Sequence, residues 1–241
     1  MRRIAALALV LLAATAAPAA AQQVVTYEVV EEEVITEGGS DRFVASKPAV
    51  VPHGIAQFGP FRVLDSGRAA LVDVTDSRSP AAFTAMLKAY PAIAELEMIE
   101  CPGTMDDTAN LRLGRMIHAR GLVTHVPNGG SVRSGAVELF LAGAHRVADR
   151  KAEFAVHSWE DEDGKQPADF APDAPVNRAY LDYYHEMGMS EIEARAFYDM
   201  TNSVPNRDAR WMNAAQMGQW VKLENGAPIS TTSLDSGRVL R

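Results

Sequence analysis

From residue 69 to residue 157, short apolar runs alternate with stretches of helical periodicity, and this alternation limits the possible folds more than any other feature. "AALVDV" (69–74) reads as a buried strand. "SPAAFTAMLKAY" (79–90) reads as a helix with Ser79 as cap and Pro80 at the first helical position. "LEMIE" (96–100) is a second strand. After the turn "CPGT" comes "MDDTANLRLGRMIHARG", whose apolar positions Leu111, Leu113, Met116 and Ile117 suit a helix ending at Gly121. "LVTHV" (122–126) is a third strand, and the loop "PNGGSVR" leads into a helix that starts after Ser134. A further strand covers 152–156, with His157 at its end. Strands alternating with helices predict an α/β domain: a mostly parallel sheet with helices on both faces.

With 241 residues, 47% of them hydrophobic, the chain can bury one sizeable core, expected over 48–223. "MRRIAALALVLLAATAAPAAAQQ" has the three-part layout of an export signal over residues 1–21: two arginines, an apolar stretch and an Ala-rich run ending before Gln22. Residues 22–47 mix β-branched residues with an acidic run and read as an extended arm or linker. After His157, "SWEDEDGKQPADFAPDAP" predicts a surface loop or flap. Helical stretches follow at 175–187 and 190–201, the second with Ser190 and Glu193 in capping-box spacing. "NAAQMGQWVKL" reads as a closing helix and short strand, and 224–241 as a flexible tail.

No later run is apolar for the roughly 20 residues that a bilayer crossing needs, so a product freed of its leader is expected to lack a membrane span. Export places it in the periplasm or outside the cell. Loss of Arg2 and Arg3 with the leader takes the net charge from −8 to −10, a balance that argues against nucleic acid and anionic membrane surfaces as partners. The single cysteine, Cys101, has no internal partner, and Leu96, Met98 and Ile99 just upstream mark it as a buried small residue. The histidines show no metal-ligand spacing and "PNGGS" lacks the lysine of a phosphate cradle, so neither a metal nor a cofactor is expected.

Three features fall into an order that chemistry can use: a Pro-Gly turn at a strand end (Pro102, Gly103, Thr104), a serine at a helix start (Ser134) and a histidine at a strand end (His157). Alone, Ser134 reads as a helix cap and His157 as a half-buried histidine. Together they offer a hydroxyl, a base titrating near neutrality, and free amides at a helix N-terminus. Strands ending at Glu100, Val126 and Val156 would gather all three at one sheet edge.

The same residues carry a resemblance. "ECPGTMDDTANLRLGRMIHARGLVTHV" followed by "GSVRSGAVELFLAGAHRVADRKAEFAVH" resembles the ClpP-like serine peptidases of the ClpP/crotonase superfamily, especially exported bacterial members. Those show a Ser-Pro-Gly-Gly turn, a helix, a short strand, a small-Ser-small helix start and a strand ending near histidine. The likeness spans 69–157 and continues through "VPNRDARWMNAAQMGQWVKL". It implies a ClpP/crotonase-like fold and a peptide or small acyl substrate. Carried over, it makes Ser134 the nucleophile, His157 the general base, Thr104 and Gly135 the oxyanion donors and Asp208 the third triad member, with Asp161, Asp163 and Asp199 as competitors. Two departures stand out. Thr104 replaces the second turn glycine, and Arg133 replaces the small residue before the nucleophile; Arg133 would bind a substrate carboxylate or fill its pocket. Tyr180, Tyr183 and Tyr184 recur at helical spacing and read as packing; in ClpP-like proteins this region also serves ring assembly, which leaves a homo-oligomer open. The rival reading is a non-catalytic binding or assembly module of the same fold. Crotonase-like acyl-CoA chemistry is a third, disfavoured by the leader.

Overall fold

The computed structural model describes Ala45 and residues 50–224; the leader, nearly all of the acidic arm and the tail beyond Glu224 lie outside the described residues. A hairpin of β1 (Ala56–Phe58) and β2 (Phe61–Val63) folds antiparallel onto β3 (Arg68–Leu71). Then come α1 (Ser79–Ala89), β4 (Glu95–Met98), β5 (Glu100–Cys101), α2 (Asp107–Arg120), β6 (Val123–Val126), β7 (Ser131–Arg133), α3 (Ala136–Leu141), β8 (His145–Ala148) and β9 (Glu153–Val156). A 3₁₀ turn at Pro167–Asp169 precedes α4 (Pro175–Glu186), α5 (Glu191–Thr201), β10 (Arg210–Asn213) and α6 (Ala214–Met217).

The strands form two sheets where the sequence suggests one, with orders β1-β2-β3-β4-β6-β8 and β10-β9-β7-β5. The segments β3, β4, β6, β8 and, in the other sheet, β5, β7, β9 are parallel, so the α/β, mostly parallel class holds. The chain steps from the first sheet to the second within a few residues, three times over: β4 to β5, β6 to β7 and β8 to β9. Ile99 makes one such step, its N–H donating to Leu71 O (3.1 Å) while its carbonyl accepts from Ser131 N–H (2.9 Å).

Every residue of α3 is buried, and the helix packs against β6, β7 and β9 of both sheets. A helix buried all round needs apolar side chains all round, and "AVELFL" has them except at Glu138. Cys101 is fully buried as expected; its Sγ lies 3.4 Å from Leu71 O, and burial pushes the thiol pKa up. Helix ends follow local chemistry. Asp106 caps α2 by accepting from Ala109 N–H (2.9 Å), Gly121 closes it with φ 70°, and Ser190 with Glu193 forms the expected capping box on α5. At α1 the sequence expectation needs correction. Arg78 is the cap residue, and Ser79 Oγ instead accepts from Asp76 N–H (2.9 Å) inside the preceding turn. No helix among the described residues is long and apolar enough to cross a membrane.

Candidate active site

The C-terminal ends of β5, β7 and β9 lie side by side because the strands pair in parallel with Cys101 opposite Val132 and Arg133 opposite Ala155. They deliver the Pro102–Thr104 turn, Ser134 and His157 to one edge. The middle strand is β7, ending at Arg133; β6, ending at Val126, belongs to the other sheet.

Ser134 occupies the turn from β7 into α3 with φ 51°, the single positive φ of a non-glycine among the described residues. Left-handed backbone disfavours an L side chain by about 1–2 kcal/mol, so the surrounding structure must enforce it. It does so through the Ser134 peptide itself: the N–H donates to Ala155 O (2.8 Å) and the carbonyl accepts from Val137 N–H (2.9 Å). The serine is not the helix cap; Gly135 holds that position, without any side-chain cap bond.

Gly103 faces Ser134 across the edge. A Cβ at 103 would sit 2.9 Å from Ser134 Cβ and 3.2 Å from its Oγ, and the φ of 129° suits only glycine. Gly135 is required for a different reason, since a Cβ there would meet the Thr104 methyl at 2.5 Å. The N–H groups of Thr104 and Gly135 have no backbone acceptor among the described residues.

His157 shares a cleft with Ser134 and Gly135. Its Nδ1 lies 2.8 Å from Ser158 O; a carbonyl only accepts, so in the neutral ring the proton sits on Nδ1 and Nε2 is the basic nitrogen. The Asn206 amide donates to the same carbonyl (2.9 Å) and approaches His157 Nδ1 at 3.5 Å. Asp208, two residues on, is paired with Arg207 (3.7 Å). Of the other carboxylates considered, Asp161 accepts from Asp163 and Lys165 N–H within the 158–175 loop, Asp163 pairs with Lys165 (4.0 Å), and Asp199 lines a groove between α4 and α5.

The cleft is narrow, with a volume of about 40 Å³, and is partly open to solvent. Two acids line it, Asp107 from the first turn of α2 and Glu138 from α3, with no lysine or arginine. Burial raises the Asp107 pKa against an opposing hydrogen bond from Tyr180. Burial pushes Glu138 up to about 7, opposed by the Tyr184 hydroxyl that donates to its Oε1 at 2.8 Å. Trp159, Tyr180, Tyr184 and Tyr198 supply the aromatic walls. The tyrosines of α4 therefore divide: Tyr183 packs in the core with its hydroxyl on Glu138 O (2.6 Å), whereas Tyr180 and Tyr184 also face the cleft. Glu138 had one sequence signal, a lone acid inside an otherwise apolar helix.

Arg133 does not reach the cleft. It is wholly buried, with Nη1 donating to Ser131 Oγ (2.6 Å) and Nη2 bonded to Glu100 on β5. A guanidinium with no exposed surface presents no donor to a substrate carboxylate in this cleft. Among the described residues no group of three or more His, Cys, Asp or Glu could hold a metal ion.

No protein-family model matches the chain, and no curated protein matches it. Several solved structures are similar in architecture. A membrane-bound stomatin-specific protease in complex with a substrate peptide shares 12% identity over 64% of this chain and 74% of its own, with a TM-score of 0.43. An enoyl-CoA hydratase from Shewanella pealeana shares 15% over 70% and 68%, at 0.45. A ClpP1 variant from Listeria monocytogenes shares 12% over 67% and 91%, also at 0.45.

Proposed function

We propose that this protein is an exported serine hydrolase of ClpP/crotonase-like fold that cleaves a peptide or related acyl bond through an acyl-enzyme. Ser134 Oγ attacks the acyl carbon while His157 Nε2 takes its proton, and the Thr104 and Gly135 N–H groups hold the oxyanion. Collapse of the adduct expels the amine or alcohol, which leaves with the proton from His157. Water then repeats the sequence to free the acid and Ser134.

The observation that carries this reading is the enforced positive φ of Ser134 at a strand-to-helix turn, in the cleft that His157 lines. The Nδ1 proton of His157 supports it by leaving Nε2 as the base, with Ser158 O in the orienting role. The two departures from the family pattern are compatible with activity: Arg133 lies outside the cleft, and Thr104 needs only its backbone N–H. Acidic and aromatic walls without a lysine or arginine favour an apolar or cationic substrate group over an acidic one. The export signal at residues 1–21 argues for action in the periplasm or outside the cell.

A fluorophosphonate probe tests the reading. It should label the wild type and fail to label Ser134→Ala; folded wild-type protein that resists the probe overturns it.

A further inference from the structure

A buried polar network that no chemical step above uses joins the peptide that carries the Thr104 N–H to the carbonyl of Gly135, one peptide beyond the Gly135 N–H. Thr75 follows β3 and is 1% exposed; Asn110 sits in the first turns of α2 and is 2% exposed. Thr75 N–H donates to Gly103 O (3.0 Å), and Thr75 O accepts from Met105 N–H (2.8 Å), so Thr75 grips the turn on both sides of Thr104. The Thr75 hydroxyl lies 3.0 Å from Asn110 Oδ1 and 3.3 Å from Gly103 O. At its other end the Asn110 amide donates to Gly135 O at 2.5 Å. Thr75 and Asn110 together thus span the gap between the 102–104 turn and the start of α3.

Peptide geometry gives this network a direction. In a trans peptide the carbonyl and the N–H of one unit point opposite ways. The Gly103 carbonyl is held by Thr75, so the Thr104 N–H of that same unit is turned away from Thr75. The Ser134 carbonyl, held by Val137 N–H, fixes the Gly135 N–H in the same manner. A hydrogen bond received at a carbonyl also polarises its peptide and strengthens the N–H as a donor. Donors aimed before the charge develops need no reorganisation when it does.

We propose that Thr75 and Asn110 are positioning residues: Thr75 fixes the Thr104 amide through the Gly103 carbonyl, and Asn110, bonded to Thr75, holds residue Gly135 by its own carbonyl at a set distance from that turn. What those amides do rests on the hydrolase reading; that they are held does not. Thr75→Val keeps the backbone bond to Gly103 and removes only the hydroxyl. Asn110→Ala severs both ends but leaves buried partners unpaired and can unfold the chain, so Thr75→Val is the primary variant and Thr75→Ser the conservative control. Two measurements are made on the whole chain: backbone amide shifts and hydrogen exchange at Thr104 and Gly135, and the second-order rate of fluorophosphonate labelling. In Thr75→Val both amides should shift and exchange faster, with labelling slowed about tenfold or more, and Thr75→Ser should return both readouts to wild type. Unchanged amides in a folded Thr75→Val overturn the positioning role whatever the labelling does; shifted amides with normal labelling overturn the oxyanion role given to those amides. A wild type that never labels, in a chain whose amides still respond to Thr75→Val, sinks the hydrolase reading and leaves the positioning intact.

Discussion

The methyl group of Thr104 fills the space that a side chain at residue 135 would need: a Cβ on Gly135 would lie 2.5 Å from Thr104 Cγ2. A threonine in the turn and a glycine after Ser134 are one steric decision made at two places in the chain. Gly135→Ala should therefore destabilise the protein by about 1–3 kcal/mol through overpacking and slow fluorophosphonate labelling. Adding Thr104→Ser removes the methyl while keeping the Oγ that meets Thr75 O and Asp106 N–H, and should recover most of both losses. Denaturant midpoints of the two single variants and the double variant check this; additive losses would refute the coupling.

The backbone of Ser134 makes a second, separable prediction. If the φ of 51° is enforced strain, Ser134→Gly relieves it and Ser134→Ala does not. Both variants lack the hydroxyl, yet the glycine variant should be the more stable of the two by about 1 kcal/mol. Equal melting temperatures would mean that the turn relaxes when its serine is removed.

Glu138 should impose a pH dependence on stability. Its folded value of about 7 lies above the ordinary glutamate value of 4.5, so between these limits the folded chain holds a proton that the unfolded chain has released. Stability from this group is fully present below pH 4.5, falls as pH rises through 7, and is level above that. Glu138→Gln keeps an acceptor for the Tyr184 hydroxyl and removes the titration. The difference between variant and wild type should be small at pH 4 and reach on the order of 3 kcal/mol in favour of glutamine at pH 8. Chemical denaturation across that range reads it directly.

Asn206 and Asp208, two residues apart, differ in their partners. Asn206 donates to the carbonyl that orients the ring, whereas Asp208 pairs with Arg207. Asp208→Asn should leave the labelling rate within about twofold of wild type, while Asn206→Ala should lower it about tenfold, a small share of what a full general base supplies. The reverse order would favour Asp208 over Asn206 as the third member of the site.

What the sequence reveals and conceals here follows from range. The helices were legible because their signals are local: Gly121 at the left-handed end of α2, Ser190 and Glu193 closing the box on α5. The second sheet was not, because β5 and β7 are only 2 and 3 residues long and too brief to show a period. In β7 the arginine reads as a substrate contact or a filler of the substrate's pocket; its partner Glu100 lies 33 residues away on a strand that pairs only after folding. Ser134 and His157 were visible as residue types in order, but the strain on the one and the Ser158 carbonyl behind the other exist only in three dimensions. Asn110 had no local mark at all, sitting mid-run in an ordinary amphipathic helix.

Cys101 carries a consequence of its own. Its thiol is enclosed beside Leu71 and kept in the unreactive protonated form, so an oxidising compartment finds nothing to attack while the chain is folded. The only cysteine among 241 residues is thereby a built-in clock: a maleimide reagent marks the opening of each molecule's interior once, as a single irreversible mass increment, with no background from any other sulfhydryl.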